Sequence, residues 1–329
     1  MDRVPIITGM AGVINNSNIK CGDILCNEKI ELIHSNNMES LGHSLSYRKP
    51  EGCKLLDYAL EKALKNSAIE LSKLQNNRKI GIIIGTTNGL TYDQSVFLKE
   101  LYEKQIVSPF LFSQTAHNYL SDTIVAKYKI SGFSTCLFNG WTSGLDALLM
   151  GFNMIRNGRL DTVIIGCVDT LSPLVLDMYN QILGDKESLC YKNGDFILTE
   201  SSGVIIIEEK NKKLSEKNYL GKVIEGGQTA FYSNTEFTEE LGCILKSINH
   251  FDNYFANINH TNLDRLEFEL IKKYQIESLK AVKTQIGECG AVSGIIQLIL
   301  ALGCDKPVSL IVNVCYAGKL TWVLVERKR

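Results

Sequence analysis

The stretch from Gly132 to Ser143 reads G-F-S-T-C-L-F-N-G-W-T-S, and it holds the residues most suggestive of chemistry in this chain. Gly144 and a run of apolar residues at helical spacing follow: Leu145, Leu148, Leu149, Phe152, Met154 and Ile155. The pattern predicts a strand, a tight Asn-Gly turn and a buried helix that begins at Trp141. A side chain at that point projects from a helix N-terminus, where unpaired backbone N–H groups and the helix dipole stabilise a thiolate. An indole cannot attack a thioester, and its bulk fills the space a substrate would need. The turn has the form of an acyl-transfer site and lacks the reactive atom. Cys136 lies five residues earlier, inside the strand between Thr135 and Leu137, and reads as a core thiol. Two further segments carry ionisable groups, Asn259-His260-Thr261 and Lys283-Thr284-Gln285-Ile286-Gly287-Glu288. A desolvated carboxylate beside a pocket can serve as a base, so Glu288 working with His260 is one catalytic reading. A lone loop histidine between Asn and Thr reads as a capping or surface residue, and Lys283 as an ion-pair or hydrogen-bond donor.

These groups must be held by elements that the hydropathy pattern makes visible. Strands are expected at 4–8, 79–85, 134–138, 162–167, 203–208, 221–225, 253–258, 278–282, 307–314 and 320–326. Helices are expected at 54–75, 93–104, 112–128, 141–157, 172–183, 236–249, 263–273 and 290–302. Ile80 to Gly85 and Val163 to Gly166 are near-continuous apolar runs, as in strands covered on both faces. The alternation of strand and helix predicts an α/β protein with helices on the sheet faces. Strand, Gly-bearing turn, buried helix and strand occur at 134–167 and again at 279–314, while the charged stretch 209–219 reads as a connector.

Composition excludes several classes. The 329 residues are 45% hydrophobic with a net charge of −1, so nothing argues for nucleic acid or an anionic membrane surface. Lys210, Lys212 and Lys213 lie beside Glu208 and Glu209 and read as a solvated loop. No run approaches the roughly 18 apolar residues of a spanning helix, and Met1 to Pro5 lacks a signal-peptide pattern. The ten cysteines are scattered without a C-x-x-C pair, so no metal and no cofactor is expected and a reducing cytoplasm is.

Several ordered landmarks together resemble the β-ketoacyl synthase family of the thiolase superfamily. They are Ile6 to Val13, Ile80 to Thr87, Val107-Ser108-Pro109-Phe110, Gly132 to Asp169 and Lys283 to Glu288, the last similar to a K-S-x-x-G-H motif. The resemblance implies a thiolase-like fold, two repeated αβ halves in an αβαβα layering. The halves fall at 1–210 and 211–329 and form one compact unit. It also implies an active-site cysteine and two histidines. Trp141 stands at the cysteine position, Asn259 or His260 at the first histidine and Glu288 at the second. The closing Gly-rich turn departs too, reading Asn313-Val314-Cys315-Tyr316-Ala317-Gly318-Lys319.

A ketosynthase scaffold without its nucleophile is most similar to the chain-length factor of type II polyketide synthases. That subunit pairs with a catalytic ketosynthase and works with an acyl carrier protein. By this resemblance Phe110, Phe112, Thr115, Ala116, Tyr119 and Phe138 are expected to line the polyketide tunnel or the subunit interface. Phe112, Thr115, Ala116 and Tyr119 would share one helical stripe, with Gln114, His117 and Asn118 on the polar side. A buried Trp141 needs a partner for its N–H, with Asn139, Ser143 or a backbone carbonyl at hand. Three other readings stay open: a decarboxylase or acyltransferase using Glu288 and His260, a purely stabilising scaffold, and a docking subunit. The last would need Arg78, Lys99, Lys104 and Lys127 to form a basic patch for an acidic carrier.

Overall fold

Apolar runs without polar alternation become the central strands of the sheet. A computed structural model describes residues 3–15, 30–33, 49–67, 69, 72, 74–116, 118–210 and 219–328. The strands are β1 (Pro5–Asn15), β2 (Ile30–Ile33), β3 (Ile80–Gly85), β4 (Ser134–Leu137), β5 (Thr162–Asp169) and β6 (Glu200–Glu209). They continue with β7 (Gly221–Ala230), β8 (Asn253–Phe255), β9 (Leu279–Lys280), β10 (Val308–Cys315) and β11 (Lys319–Arg327). The helices are α1 (Glu51–Asn66), α2 (Thr91–Lys104), α3 (Pro109–Gln114), α4 (Tyr119–Tyr128) and α5 (Ser143–Arg156). After them come α6 (Pro173–Ile182), α7 (Asn234–Ser247), α8 (Leu263–Lys273), α9 (Lys283–Ile286) and α10 (Ser293–Ala301).

The strand order is β4-β3-β5-β6-β1-β7-β11-β10-β8-β9, with β2 added beside β1. It reads as one five-strand pattern used twice, with β1 and β7 meeting antiparallel in the middle. Directions agree as well. β3 runs parallel to β4 and β5, as β8 does to β9 and β10, while β5–β6 and β10–β11 are antiparallel.

Strand alternation sorts side chains into three cores. Ile82, Ile84 and Ile164 pack on the outer helix α1, whereas Ile83 and Ile165 face inward onto α5 and α10. Leu310 and Val312 pack on the opposite outer helices α7 and α8, and Ile311 faces inward. The layering is therefore helix, sheet, helix, sheet, helix, a thiolase-like α/β fold.

The repeat is sharpest where the buried helices begin. Gly140-Trp141-Thr142-Ser143-Gly144 and Gly290-Ala291-Val292-Ser293-Gly294 both form a single 3-10 turn running into a helix. Gly140 and Gly290 have φ of 72° and 59°, a left-handed conformation that a side chain would strain. In each copy a serine hydroxyl accepts the N–H four residues before it, Ser143 from Asn139 at 2.8 Å and Ser293 from Cys289 at 2.9 Å.

Three expectations require correction. The helix expected over 54–75 stops at Asn66, because Ser67 turns extended and its hydroxyl donates to the Leu64 carbonyl at 2.8 Å. The helix expected over 112–128 is two, α3 and α4. Ser113 and Thr115 turn their hydroxyls back onto the Phe110 and Phe112 carbonyls, both at 2.7 Å, which closes the first. Trp141 lies within the 3-10 turn rather than at the first residue of the α-helix. The four-residue strand β2 was too short to stand out in the hydropathy pattern.

Candidate functional site

The turn between β4 and α5 puts Trp141 in the core, only 1% exposed. Its ring lies 5.9 Å from Tyr179, 6.2 Å from Phe196 and 5.2 Å from Tyr316, edge-on to the last. Tyr179 and Tyr316 in turn meet edge-on at 5.8 Å. Four aromatic rings thus occupy the space in front of the elbow. The indole N–H donates to the Tyr179 hydroxyl at 3.2 Å, which donates on to Asn88 Oδ1 at 3.2 Å. The partner is thus a tyrosine, not the Asn139, Ser143 or carbonyl expected, because α6 brings Tyr179 across the cleft. Asn313 Nδ2 donates to the Trp141 carbonyl at 2.7 Å and ties the elbow to β10.

The groups at 257–260 and 283–288 meet beneath this cluster. Lys283 and Glu288 form an ion pair at 3.0 Å with both side chains fully buried. Lys283 Nζ also donates to Asn257 Oδ1 at 2.7 Å and Asn313 Oδ1 at 2.6 Å, so all three ammonium hydrogens are used. Glu288 Oε2 takes Lys283 and the Asn259 amide at 2.7 Å, while Oε1 takes Ser293 Oγ at 2.6 Å and the Gly290 N–H at 3.1 Å. A carboxylate with four donors has no lone pair left for a substrate proton. Asn259 is 3% exposed and faces Glu288, whereas His260 is half-buried with a φ of 64°. The His260 N–H donates to Asp264 Oδ2 at 2.8 Å, a capping contact at the start of α8. The structure thus brings Asn259, Lys283 and Glu288 together and leaves the His260 side chain outside.

Several contributors lay outside the sequence reading. Glu267 holds the loop from behind, accepting the Tyr254 hydroxyl at 2.6 Å and the Asn257 N–H at 3.0 Å. Burial pushes its carboxyl up to about 7. Asp146 on α5 is 2% exposed and pairs with Lys319 at 2.6 Å, with Thr321, Gln228, Asn139 and Thr142 also donating to it. Asn313 and Tyr316 could have been found, since both sit in the turn whose glycine pattern is broken. Tyr179 and Glu267 carry no local signal, being placed only by packing.

No buried thiol here is activated. Burial raises the Cys136 thiol and raises Cys289 and Cys190 to about 12, the opposite of what a nucleophile needs. Cys136 packs with the outer core of α1 and α4. Among the described residues no group of three His, Cys, Asp or Glu side chains is arranged to hold a metal ion. Among the same residues no helix is long and apolar enough to cross a membrane.

The α3–α4 region differs from the single stripe expected. Phe110 and Phe112 are exposed at 39% and 64%, Ala116 is exposed, and Thr115 and Tyr119 are half-buried on either side of the break. Gln114, expected on the polar side, is 2% exposed and hydrogen-bonds the Tyr119 hydroxyl, while Asn118 is exposed. His117 lies outside the described residues. Phe138, 40% exposed, follows the edge strand β4. α2 buries no residue at all, and Leu98, Leu101, Tyr102 and Ile106 stand exposed along and just beyond it. Three of the four cations considered for a basic patch face acids instead. Lys127 pairs with Asp57 and Glu61, each at 2.7 Å, Lys104 with Glu100 at 3.2 Å and Lys99 with Glu103 at 4.0 Å. A cavity of about 510 Å³ opens away from the aromatic cluster, between α5 and β7, with Leu137, Met150, Asn153, Arg156 and Gln228 among its walls.

Residues 51–213 match the family described as beta-ketoacyl synthase, N-terminal domain. Over about half its length the chain is similar to the β-ketoacyl synthase family. It is 23% identical over 276 residues to 3-oxoacyl-acyl-carrier-protein synthase 1 of Buchnera aphidicola subsp. Acyrthosiphon pisum, covering 74% of this chain and 67% of that protein. It is 26% identical over 196 residues to the tetracenomycin polyketide synthase ketoacyl synthase alpha subunit of Streptomyces glaucescens, covering 53% and 46%. Its fold is similar to a chain of a solved complex described as a type II PKS acyl-carrier protein with its ketosynthase bound to the hexaketide, with TM-score 0.82 and 17% identity. It is also similar to the ishigamide ketosynthase/chain length factor, with TM-score 0.79 and 13% identity, and both matches cover all of each chain. Against this β-ketoacyl synthase background the aromatic elbow and the satisfied Lys283–Glu288 pair are the features that any function must accommodate.

Proposed function

We propose that this chain is a non-condensing, ketosynthase-like subunit of the chain-length-factor kind, which pairs with a catalytic ketosynthase in polyketide synthesis. The observation that carries the reading is Trp141, buried among Tyr179, Phe196 and Tyr316 where the family's nucleophile belongs. At the two histidine positions Glu288 accepts from both Asn259 and Lys283, and an asparagine carries no titratable proton, so neither is free to move one. This weighs against a decarboxylase built on Glu288 and His260.

The partner is a catalytic ketosynthase, with an acyl carrier protein delivering the chain, and the working place is the cytoplasm. Its seat on this chain is the edge strand β4 with Phe138 and the apolar side of α2 and α3. An edge strand offers unpaired backbone groups to a second sheet, and a helix with no buried residue leaves its apolar side chains to be covered by something else. Phe110 and Phe112 lie on that face, with Thr115, Ala116 and Tyr119 at the turn that follows, where bulk would shorten a tunnel shared with the partner.

Co-expression with a candidate ketosynthase tests this. The expected result is a stable one-to-one complex, and Ala116→Phe in that complex should shift products to shorter chains. A complex whose products ignore Ala116→Phe would leave only a stabilising scaffold, and an active homodimer of this chain alone would end the proposal.

A further inference from the structure

The two-fold repeat brings out a contact at the elbow that the family landmarks do not contain. β5 and β10 are equivalent eight-residue strands, so their last residues, Asp169 and Cys315, are counterparts. Ala291 is likewise the counterpart of Trp141. In one half Asp169 Oδ2 accepts the Ala291 N–H at 2.7 Å. In the other, Cys315 Sγ lies against the elbow, facing the backbone N–H groups of Trp141 and Ala317. A Cβ on Gly290 would collide with Asp169 Oδ2, and one on Gly140 would collide with Cys315 Sγ. Each strand-end side chain therefore fills the N–H position at the elbow of the opposite half.

The N–H of a nucleophile residue, together with a second convergent N–H, is the arrangement that stabilises an oxyanion as a thioester is attacked. An acceptor already seated there excludes the substrate oxygen. Cys315 is only 1% exposed and is covered by the Trp141 turn and Tyr316, so it is an occupant of the site rather than an alternative acyl acceptor. We infer that Cys315 is a second lock on the elbow, its sulfur holding the place of the thioester oxygen independently of the indole. The inference rests on family resemblance and the elbow geometry, not on pairing with a ketosynthase.

The test uses the full chain under reducing conditions, with hexanoyl-N-acetylcysteamine as the acyl donor. The variants are Trp141→Cys, Cys315→Ala and the two combined. In the step examined, the introduced thiolate attacks the thioester carbonyl and forms a new S–C bond. The bond to the cysteamine sulfur breaks, and N-acetylcysteamine leaves as a thiolate that takes a proton from water. Intact-mass analysis should find the double variant acylated at least tenfold faster than Trp141→Cys alone. Hydrogen exchange should also show the Trp141 and Ala317 amides exchanging faster in Cys315→Ala than in the unaltered chain, which a pure packing role would not single out. Equal acylation rates, a folded double variant that takes no acyl group, or unchanged exchange at both amides would each overturn the inference. None of these readouts involves the partner, so they fail or succeed apart from the co-purification test.

Discussion

Trp141 has two physical consequences at the elbow. It brings no nucleophilic atom to the turn, and its indole makes three ring contacts worth about 0.5–1.5 kcal/mol each beyond their buried area. Below it, charge is cancelled locally, since Lys283 and Glu288 compensate each other and each ammonium hydrogen of Lys283 has an acceptor. Lys283→Met should therefore cost about 3–5 kcal/mol by leaving Glu288 charged and unpaired. Adding Glu288→Gln should recover part of that, which urea unfolding of both variants will measure. Glu267 makes a pH prediction. Burial raises its carboxyl to about 7, so its share of stability is complete below the free-carboxylate range and is lost as pH climbs through 7. Stability should fall by roughly 2–3 kcal/mol between pH 4.5 and 8 from this group, and Glu267→Gln should flatten that slope in a pH series of unfolding curves.

At the scale of elements, the buried helices α5 and α10 are fixed from all sides, while α2 and α3 are held by few contacts and present apolar groups outward. The difference separates what keeps the fold from what the proposed partner would cover. Leu98→Asp with Phe112→Asp should leave stability within about 0.5 kcal/mol, because both positions are exposed. The same pair should abolish co-purification with the ketosynthase; retention of the complex would move the interface elsewhere. The break between α3 and α4 shows how element and residue interact. Two hydroxyls returning to their own helix end it, and the stripe expected at 112–119 becomes two short faces on either side of a turn.

At the scale of the whole molecule, one five-strand pattern is used twice, and each half supplies the other's elbow with a capping side chain. Such an arrangement holds the two halves together through backbone groups, because Asp169, Asn313 and Cys315 cross between halves regardless of what residue 141 is. The isolated chain, incubated with an acyl thioester, should show no covalent mass increase. An adduct mapping to any of its cysteines would show that chemistry persists here.

The order of the longer strands and helices, the α/β class, the repeat at 134–167 and 279–314 and the odd residue at the elbow were legible in the chain, because they depend on local periodicity and turn chemistry. Helix ends at Ser67 and Thr115 were not, since a serine or threonine hydroxyl can face solvent or its own backbone and only the surroundings choose. The closed state of the site was decided by tertiary structure alone. Tyr179, Asn313 and Cys315 reach Trp141 or Lys283, and Glu267 reaches the Asn257 loop, from distant strands and helices, and contacts between residues so far apart in the chain leave no trace in a local pattern.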